Sequence, residues 1–144
     1  MSVRSFTKIW LNIIWGTKNR KKSLVDKEFR KRISKHLLEN SKQKGIYMKV
    51  NYVNSDHVHA LIDLPTNMTV EDVARLIKGE SSSWINKKVE FKFAWSTGYG
   101  AFSVSESNLD KLVKYIMNQD EHHRTKSFTE EYDAFLRAYN VGGG

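Results

Sequence analysis

The order in which strand-like and helix-like segments follow one another restricts this chain to few folds. The spacing of its apolar residues predicts strand, helix, strand, strand, helix, strand and then a further helix. A βαββαβ order is typical of ferredoxin-like α+β folds, in which the first and third strands are the centre of an antiparallel sheet. We therefore predict a ferredoxin-like antiparallel sheet with helices on one face and an added C-terminal helix. The predicted segments are residues 6–17, 26–44, 46–53, 56–63, 69–85, 91–95 with 99–104, and about 105–123.

Local signals mark the ends of the first two helices. Asp26 and Thr69 are of the residue types that cap helix N-termini, and Gly45 is placed to end the first helix. Residues 127–139 are polar and aromatic and predict a short helix at most.

Length and composition narrow the class of protein. The 144 residues suit one domain, 1–144, with a flexible end over about residues 140–144. The chain has no cysteine, which excludes disulfides and thiolate zinc sites and fits a reducing cytoplasm. The apolar run at 9–15 is too short to span a membrane, so we predict no membrane association. The net charge of +8 favours a polyanionic partner, nucleic acid before a membrane surface.

The segment at 56–63 carries the clearest indication of chemistry. Apolar residues at 58, 60 and 62 alternate with His57 and His59, so a strand here directs both imidazoles to one face, about 6.5–7 Å apart. Two such rings could hold a divalent metal, and the alternative is a half-exposed strand that happens to carry two histidines. Asp56 most simply serves the preceding turn, and Asp63 could orient an imidazole.

A basic loop follows the first strand. Directly after a central strand it could contact a phosphate backbone, or it could equally be a solvated turn that keeps the protein soluble. The candidate DNA contacts are Lys18, Arg20, Lys21 and Lys22.

The last predicted helix has an apolar stripe and a polar edge. At 100° per residue, Tyr115 lies roughly 130° and Gln119 roughly 90° from the centre of the stripe, and His122 lies near both. Taken alone, a tyrosine and a glutamine four residues apart are most simply ordinary surface residues of an amphipathic helix. The stripe consists of Leu109, Leu112, Val113, Ile116 and Met117.

Taken together, these segments resemble the single-tyrosine HUH transposases of bacterial insertion sequences, a group that includes the REP-associated tyrosine transposases. The similar stretches cover nearly the whole chain and occur in the same order. They are Trp15-Gly16-Thr17-Lys18, Asp56-His57-Val58-His59, Gly98 through Val104, and Tyr115 through Phe128 with Asn118-Gln119 and His122-His123.

The resemblance implies a role for each site residue and a substrate. It implies His57 and His59 as metal ligands, Gln119 as third ligand with His122 as its alternative, and Tyr115 as the nucleophile of a catalytic C-terminal helix. The implied ion is Mg²⁺ or Mn²⁺. The implied substrate is single-stranded DNA cut beside a hairpin, with a 5′-phosphotyrosine as the intermediate of transposition.

The resemblance also implies an assembly and a location. The family forms homodimers, commonly with active sites shared between subunits, in the cytoplasm of bacteria or archaea and at the nucleoid. Two other hypotheses stay open. One is a ferredoxin-like nucleic-acid-binding protein without cleavage activity, and the other is a nickase related to replication initiators or relaxases.

Overall fold

A single antiparallel sheet organises the protein, whose computed structural model describes residues 5–119 and 126–140. Its strands are β1 (Trp10–Gly16), β2 (Tyr47–Val53), β3 (His57–Asp63) and β4 (Gly100–Val104). They are arranged in the order β2-β3-β1-β4, and every neighbouring pair is antiparallel. The first and third strands are therefore the central pair, which confirms the predicted ferredoxin-like fold.

The described helices are α1 (Lys27–Gln43), α2 (Val70–Asn86), α3 (Leu109–Met117) and α4 (Phe128–Ala138). Both predicted N-caps are confirmed. The Asp26 side chain accepts a hydrogen bond from the backbone N–H of Glu28 at 3.1 Å, and Thr69 forms a reciprocal capping box with Asp72. No helix among these residues is long and apolar enough to cross a membrane.

The two faces of the sheet carry different helices. Leu11, Ile13 and Trp15 of β1 pack with α1 and α2 in the largest apolar cluster. Trp10 and Ile14 point to the opposite face and pack with α3 and α4. All seven residues of β1 are buried, as predicted for a central strand covered on both sides.

Strand β3 shows the predicted alternation. Val58, Ala60 and Ile62 are fully buried against the α1 and α2 side, and His57 and His59 project to the side covered by α3 and α4. The histidine pair thus lies mid-sheet on a strand that is held by a neighbour on each edge, where side-chain positions are well determined.

The first strand begins at Trp10 rather than at residue 6, and the structure differs from the predicted elements in two further places. Residues 91–95 do not form a strand, and only an isolated bridge joins Trp95 to Thr17. The Asn86 side chain donates to the carbonyl of Phe93 and accepts from its N–H, each at 2.8 Å, so this segment needs no strand partner there. Met117 of the predicted apolar stripe is 57% exposed, because α3 ends at this residue.

Several predictions fall on residues outside the described ranges. These are the end of the last helix near His123, the alternative ligand His122, and the flexible end apart from Asn140.

Candidate metal and nucleophile site

The two histidines of β3 lie side by side in the interior. Their ring centroids are 5.2 Å apart and both side chains are fully buried. Asp56 Oδ1 lies 2.8 Å from Nδ1 of His57, which directs Nε2 of that ring inward. Phe128 of α4 stacks on the same ring, with centroids 4.1 Å apart.

Asp63 does not take part in this arrangement. Its carboxylate accepts a hydrogen bond from the backbone N–H of Ile9 at 2.9 Å and pairs with Lys8 at 3.3 Å. The prediction that Asp63 could orient an imidazole is therefore wrong, because it lies at the far end of β3 from His57. The neighbouring Asp56 holds the ring instead.

A glutamate from α4 completes the group. Glu131 Oε1 lies 2.8 Å from Nε2 of His59 and 3.3 Å from Nε2 of His57, and the residue is only 2% exposed. Glu131 is not among the site residues predicted from the sequence. Its one available signal was an acidic side chain at a position whose helical neighbours, Phe128 and Phe135, are apolar.

The second carboxylate oxygen of Glu131 reaches the predicted nucleophile. Tyr115 Oη donates a hydrogen bond to Glu131 Oε2, and Gln119 Nε2 donates to the same oxygen at 3.2 Å. Gln119 Oε1 accepts from Asn54 Nδ2, which also lies 3.2 Å from Nε2 of His57. The predicted nucleophile and the three predicted metal ligands in the described ranges thus meet within one chain. Gln119 is fully buried here, so its predicted position on a polar edge outside the packing is wrong.

The surroundings shift the protonation of two of these groups. Burial raises the pKa of the Tyr115 hydroxyl, and the Glu131 carboxylate adds to the effect, so Tyr115 is a neutral phenol at physiological pH. Burial alone would lower the pKa of His57, but the carboxylates of Asp56 and Glu131 outweigh it and raise that pKa.

The geometry of the buried donors fits a small divalent ion. Donor atoms on adjacent corners of an octahedron around a metal at about 2.1 Å lie about 3 Å apart. The nitrogens of His57 and His59 and the oxygen of Glu131 all lie within 4.8 Å of one another, and the two nitrogen–oxygen distances are close to that value. Two imidazoles and a carboxylate are a common donor set for such ions.

The basic loop adjoins this site. Residues Lys18–Arg20 form a single 3-10 turn, and the four candidate cations, at 18, 20, 21 and 22, are exposed. The guanidinium carbon of Arg20 lies 6.0 Å from the ring centroid of Phe128, which also stacks on His57. A cleft of about 570 Å³ separates this loop from α4 and is lined by Tyr99 and Tyr132 as well.

Two glycines let α4 lie close to the sheet. A Cβ atom at Gly16 would come 2.8 Å from the Phe128 ring, and one at Gly100 would come 2.6 Å from Tyr132 Oη and 2.9 Å from the Phe102 ring. Because α4 carries Glu131, these close contacts also determine where its carboxylate lies.

Replacing Gly100 with alanine should loosen α4. The added methyl group forces two rings to move, so we expect the free energy that holds α4 on the sheet to fall by about 1–3 kcal/mol. Hydrogen–deuterium exchange of the α4 amides should become faster.

Gly79→Ala provides the matched control, because a Cβ there meets nothing within 4 Å. This change lies in α2 and should stabilise the helix by about 0.5–1 kcal/mol. Unchanged exchange in α4 of the Gly100 variant would show that the close contacts do not hold the helix.

Comparison with known proteins identifies the family. The family described as "Transposase IS200 like" matches residues 5–119, which include the histidine pair, Tyr115 and Gln119. The chain belongs to the IS200-like transposases. Membership assigns it to DNA transposition and confirms the family predicted from the sequence.

Individual IS200-like relatives agree with this assignment. The ISDra2 transposase TnpA of Deinococcus radiodurans is 26% identical over 117 residues, which cover 76% of this chain and 83% of that protein. A crystal structure of a candidate transposase from Deinococcus radiodurans R1 is 25% identical, covers 83% of this chain and 97% of its own, and superposes with a TM-score of 0.65.

A third relative supports the fold alone. It is a REP-associated tyrosine transposase bound to a REP hairpin, 16% identical, with a TM-score of 0.61. The match covers 85% of this chain and 73% of that one.

Proposed function

We propose that this IS200-like transposase is a metal-dependent endonuclease and strand transferase that acts on single-stranded DNA. Tyr115 is its nucleophile, and a 5′-phosphotyrosine is its intermediate. One observation carries the proposal. A single carboxylate, that of Glu131, contacts both imidazoles of the histidine pair and the tyrosine hydroxyl, so a candidate ion site and a candidate nucleophile are adjacent.

The protein donors suit Mn²⁺ better than Mg²⁺, because two of the three are imidazole nitrogens, and the family resemblance implies either ion. His57, His59 and Glu131 would hold the ion. Gln119, the third ligand that the family resemblance implies, lies beside Glu131, and its amide oxygen would be a further ligand. When bound, the ion would polarise the scissile phosphate and stabilise the departing 3′ oxygen. Binding of the ion requires the ligating nitrogen of each imidazole to be unprotonated. The ion therefore competes with the proton that Asp56 and Glu131 favour on His57.

The reaction would exchange one phosphodiester for another. The Tyr115 hydroxyl gives its proton to solvent as its oxygen forms a bond to phosphorus, and the 3′ oxygen takes up a proton from solvent as its bond to phosphorus breaks. The upstream strand leaves with a free 3′-OH, and the downstream strand stays on Tyr115 through its 5′ phosphate. A different 3′-OH can reverse the step, which joins two strands without a nucleotide cofactor.

The substrate proposal rests on charge and on the resemblance. The basic loop, the exposed cation Arg20 and the aromatic cleft next to His57 suit a single strand, whose bases stack on aromatic rings. We propose hairpin-forming element ends as the natural DNA, handled by a homodimer in the cytoplasm at the nucleoid. Within one chain Tyr115 already reaches the group that contacts His57 and His59, so pairing of two chains would serve to bring DNA ends together.

Removing the basic loop charges should weaken the salt dependence of DNA binding. For single strands, each neutralised phosphate contributes about 0.7 to the magnitude of the slope of log K against log salt concentration. A variant with alanine at all four positions should therefore show a slope that is smaller in magnitude by up to about 3. The variant changes Lys18, Arg20, Lys21 and Lys22.

A charge-matched control separates loop contacts from net charge. It removes four lysines on or beside α1, which covers the face of the sheet opposite to the histidines, and it should leave the slope within about one unit. Equal losses in the two variants would contradict a specific role of the loop. The control changes Lys31, Lys35, Lys42 and Lys44.

Incubation with Mn²⁺ and single-stranded DNA tests the function directly. Oligonucleotides that tile the DNA flanking the gene, in single-stranded and duplex form, are resolved on a denaturing gel after incubation. We expect a protein–DNA adduct that survives denaturation, needs the metal, and forms only on single strands. A nucleic-acid-binding protein without cleavage activity would bind these strands and give no adduct under any metal condition.

A further inference from the structure

Glu131 differs from the other site residues in that it lies outside the segment of the chain that the family matches. The family match ends at residue 119, whereas Glu131 is supplied by α4, twelve residues beyond Gln119. Both of its oxygens are engaged, one by the imidazoles and the other by Tyr115 and Gln119. Among the described residues, Glu131 contacts both histidines, Tyr115 and Gln119.

We propose that Glu131 is a positioning residue that couples the metal ion to the nucleophile. Its Oε1 would ligate the ion while its Oε2 holds the Tyr115 hydroxyl, so the position of the hydroxyl is tied to that of the ion. This inference rests on the proposed function and assigns part of the site to α4.

The rigidity of a carboxylate makes such coupling effective. Its two oxygens are fixed relative to each other, so a hydroxyl on one and an ion on the other cannot separate by more than a few ångströms. Misplacing a nucleophile by about 1 Å can cost roughly 100-fold in rate. A carboxylate shared between ion and nucleophile is therefore a direct way to keep that alignment.

The aromatic residues of α4 fix the position of Glu131. Phe128 stacks on His57, and Phe135 packs beside both His59 and Tyr115, at centroid distances of 6.3 and 6.0 Å. Gly16 provides the space that the Phe128 ring needs. The aromatic rings on both sides of Glu131 thus hold the carboxylate between the two halves of the site.

A different role would give opposite results. If Glu131 only occupied the place of the ion, it would have to leave before metal bound, and its removal would strengthen metal binding. If it couples ion and nucleophile, its removal weakens metal binding and disorders Tyr115.

Three measurements on the full chain separate these roles. Mn²⁺ affinity is measured by calorimetry, adduct formation is measured as a single-turnover rate, and Tyr115 is observed by NMR of protein labelled with ¹³C at the tyrosine ring during Mg²⁺ titration. A Y115F sample identifies the Tyr115 resonance. The variants are Glu131→Gln and Glu131→Asp. Glu130→Gln is the control, because Glu130 is exposed on the same helix and its carboxylate accepts a hydrogen bond from Ser127.

We expect the wild-type Tyr115 resonance to shift on addition of Mg²⁺. Glu131→Gln should lose about 10- to 100-fold in Mn²⁺ affinity together with the Tyr115 response, since an amide is a weaker ligand. Glu131→Asp keeps the charge on a shorter side chain, so it should bind Mn²⁺ within about tenfold of the wild type and still lose about 100-fold in adduct rate.

Mn²⁺ affinity equal to or above the wild-type value in Glu131→Gln would overturn the proposal, and so would a Tyr115 resonance that ignores Mg²⁺ in the wild type. If Glu131→Gln does not fold, the Mn²⁺ affinity and adduct rate of Glu131→Asp test the proposal. A wild-type protein that binds Mn²⁺ and shows the Tyr115 response but forms no adduct would refute the proposed cleavage function and leave the coupling intact.

Discussion

Replacing Tyr115 with phenylalanine should abolish the covalent protein–DNA adduct while leaving DNA binding nearly unchanged. The substitution removes only the hydroxyl that donates to Glu131, and the ring can keep its contacts with His59 and Phe135. Loss of a nucleophile typically costs about 10⁴-fold or more in rate. Adduct formation on a denaturing gel and DNA affinity by fluorescence anisotropy are the two measurements.

Tyr132→Phe is the matched control for this experiment. Tyr132 lies on α4 next to Gly100, and its ring contacts Phe128 and Phe102. This variant should form adduct at close to the wild-type rate. An adduct that persists in the Tyr115 variant and disappears in the Tyr132 variant would move the nucleophile to α4.

Replacing His59 with alanine should remove metal binding. The ring nitrogen lies 2.8 Å from Glu131 Oε1, so its loss takes away one of three buried donors. Mutation of groups that merely support metal ligands costs 10- to 100-fold in affinity, so loss of a ligand itself should cost more than about 100-fold. Calorimetric titration with Mn²⁺ measures the effect, and adduct formation should be lost in parallel.

His36→Ala controls for the general effect of removing an imidazole. His36 lies on α1, where it pairs with Glu80 at 2.6 Å and stacks on Trp84, on the other side of the sheet. Its replacement should leave Mn²⁺ affinity unchanged. If both variants lose Mn²⁺ equally, the ion binds elsewhere.

The sheet could be predicted because its signals are local. Alternation at Val58, Ala60 and Ile62 follows from the two-residue period of a strand, and the capping residues Asp26 and Thr69 act within their own helix turn. The strand predicted at 91–95 is absent, and the cause is again local. The Asn86 amide satisfies the backbone of Phe93, and apolar residues there enter the core without a strand.

The site was only partly predictable because its last members depend on distant packing. The helical phase that put Gln119 on a polar edge is lost at Asn118, where φ is −100° and ψ is 26° and α3 ends. Glu131 meets His59 across 72 residues, and its place near Ser127 in the first turn of α4 suggests an ordinary helix-dipole interaction. No local pattern distinguishes a glutamate that stabilises a helix end from one that faces a histidine pair.

The polarity of the covalent link tests the central claim most directly. A single-stranded oligonucleotide that the protein cleaves is labelled, while intact, at its 5′ end in one sample and at its 3′ end in another. Each sample is then incubated with protein and Mn²⁺. A 5′-phosphotyrosine at Tyr115 predicts that only the 3′-labelled strand migrates with protein, and that the 5′-labelled fragment is released with a 3′-OH that a polymerase can extend. Attachment of the 5′-labelled fragment, or release of both fragments without attachment, would contradict it.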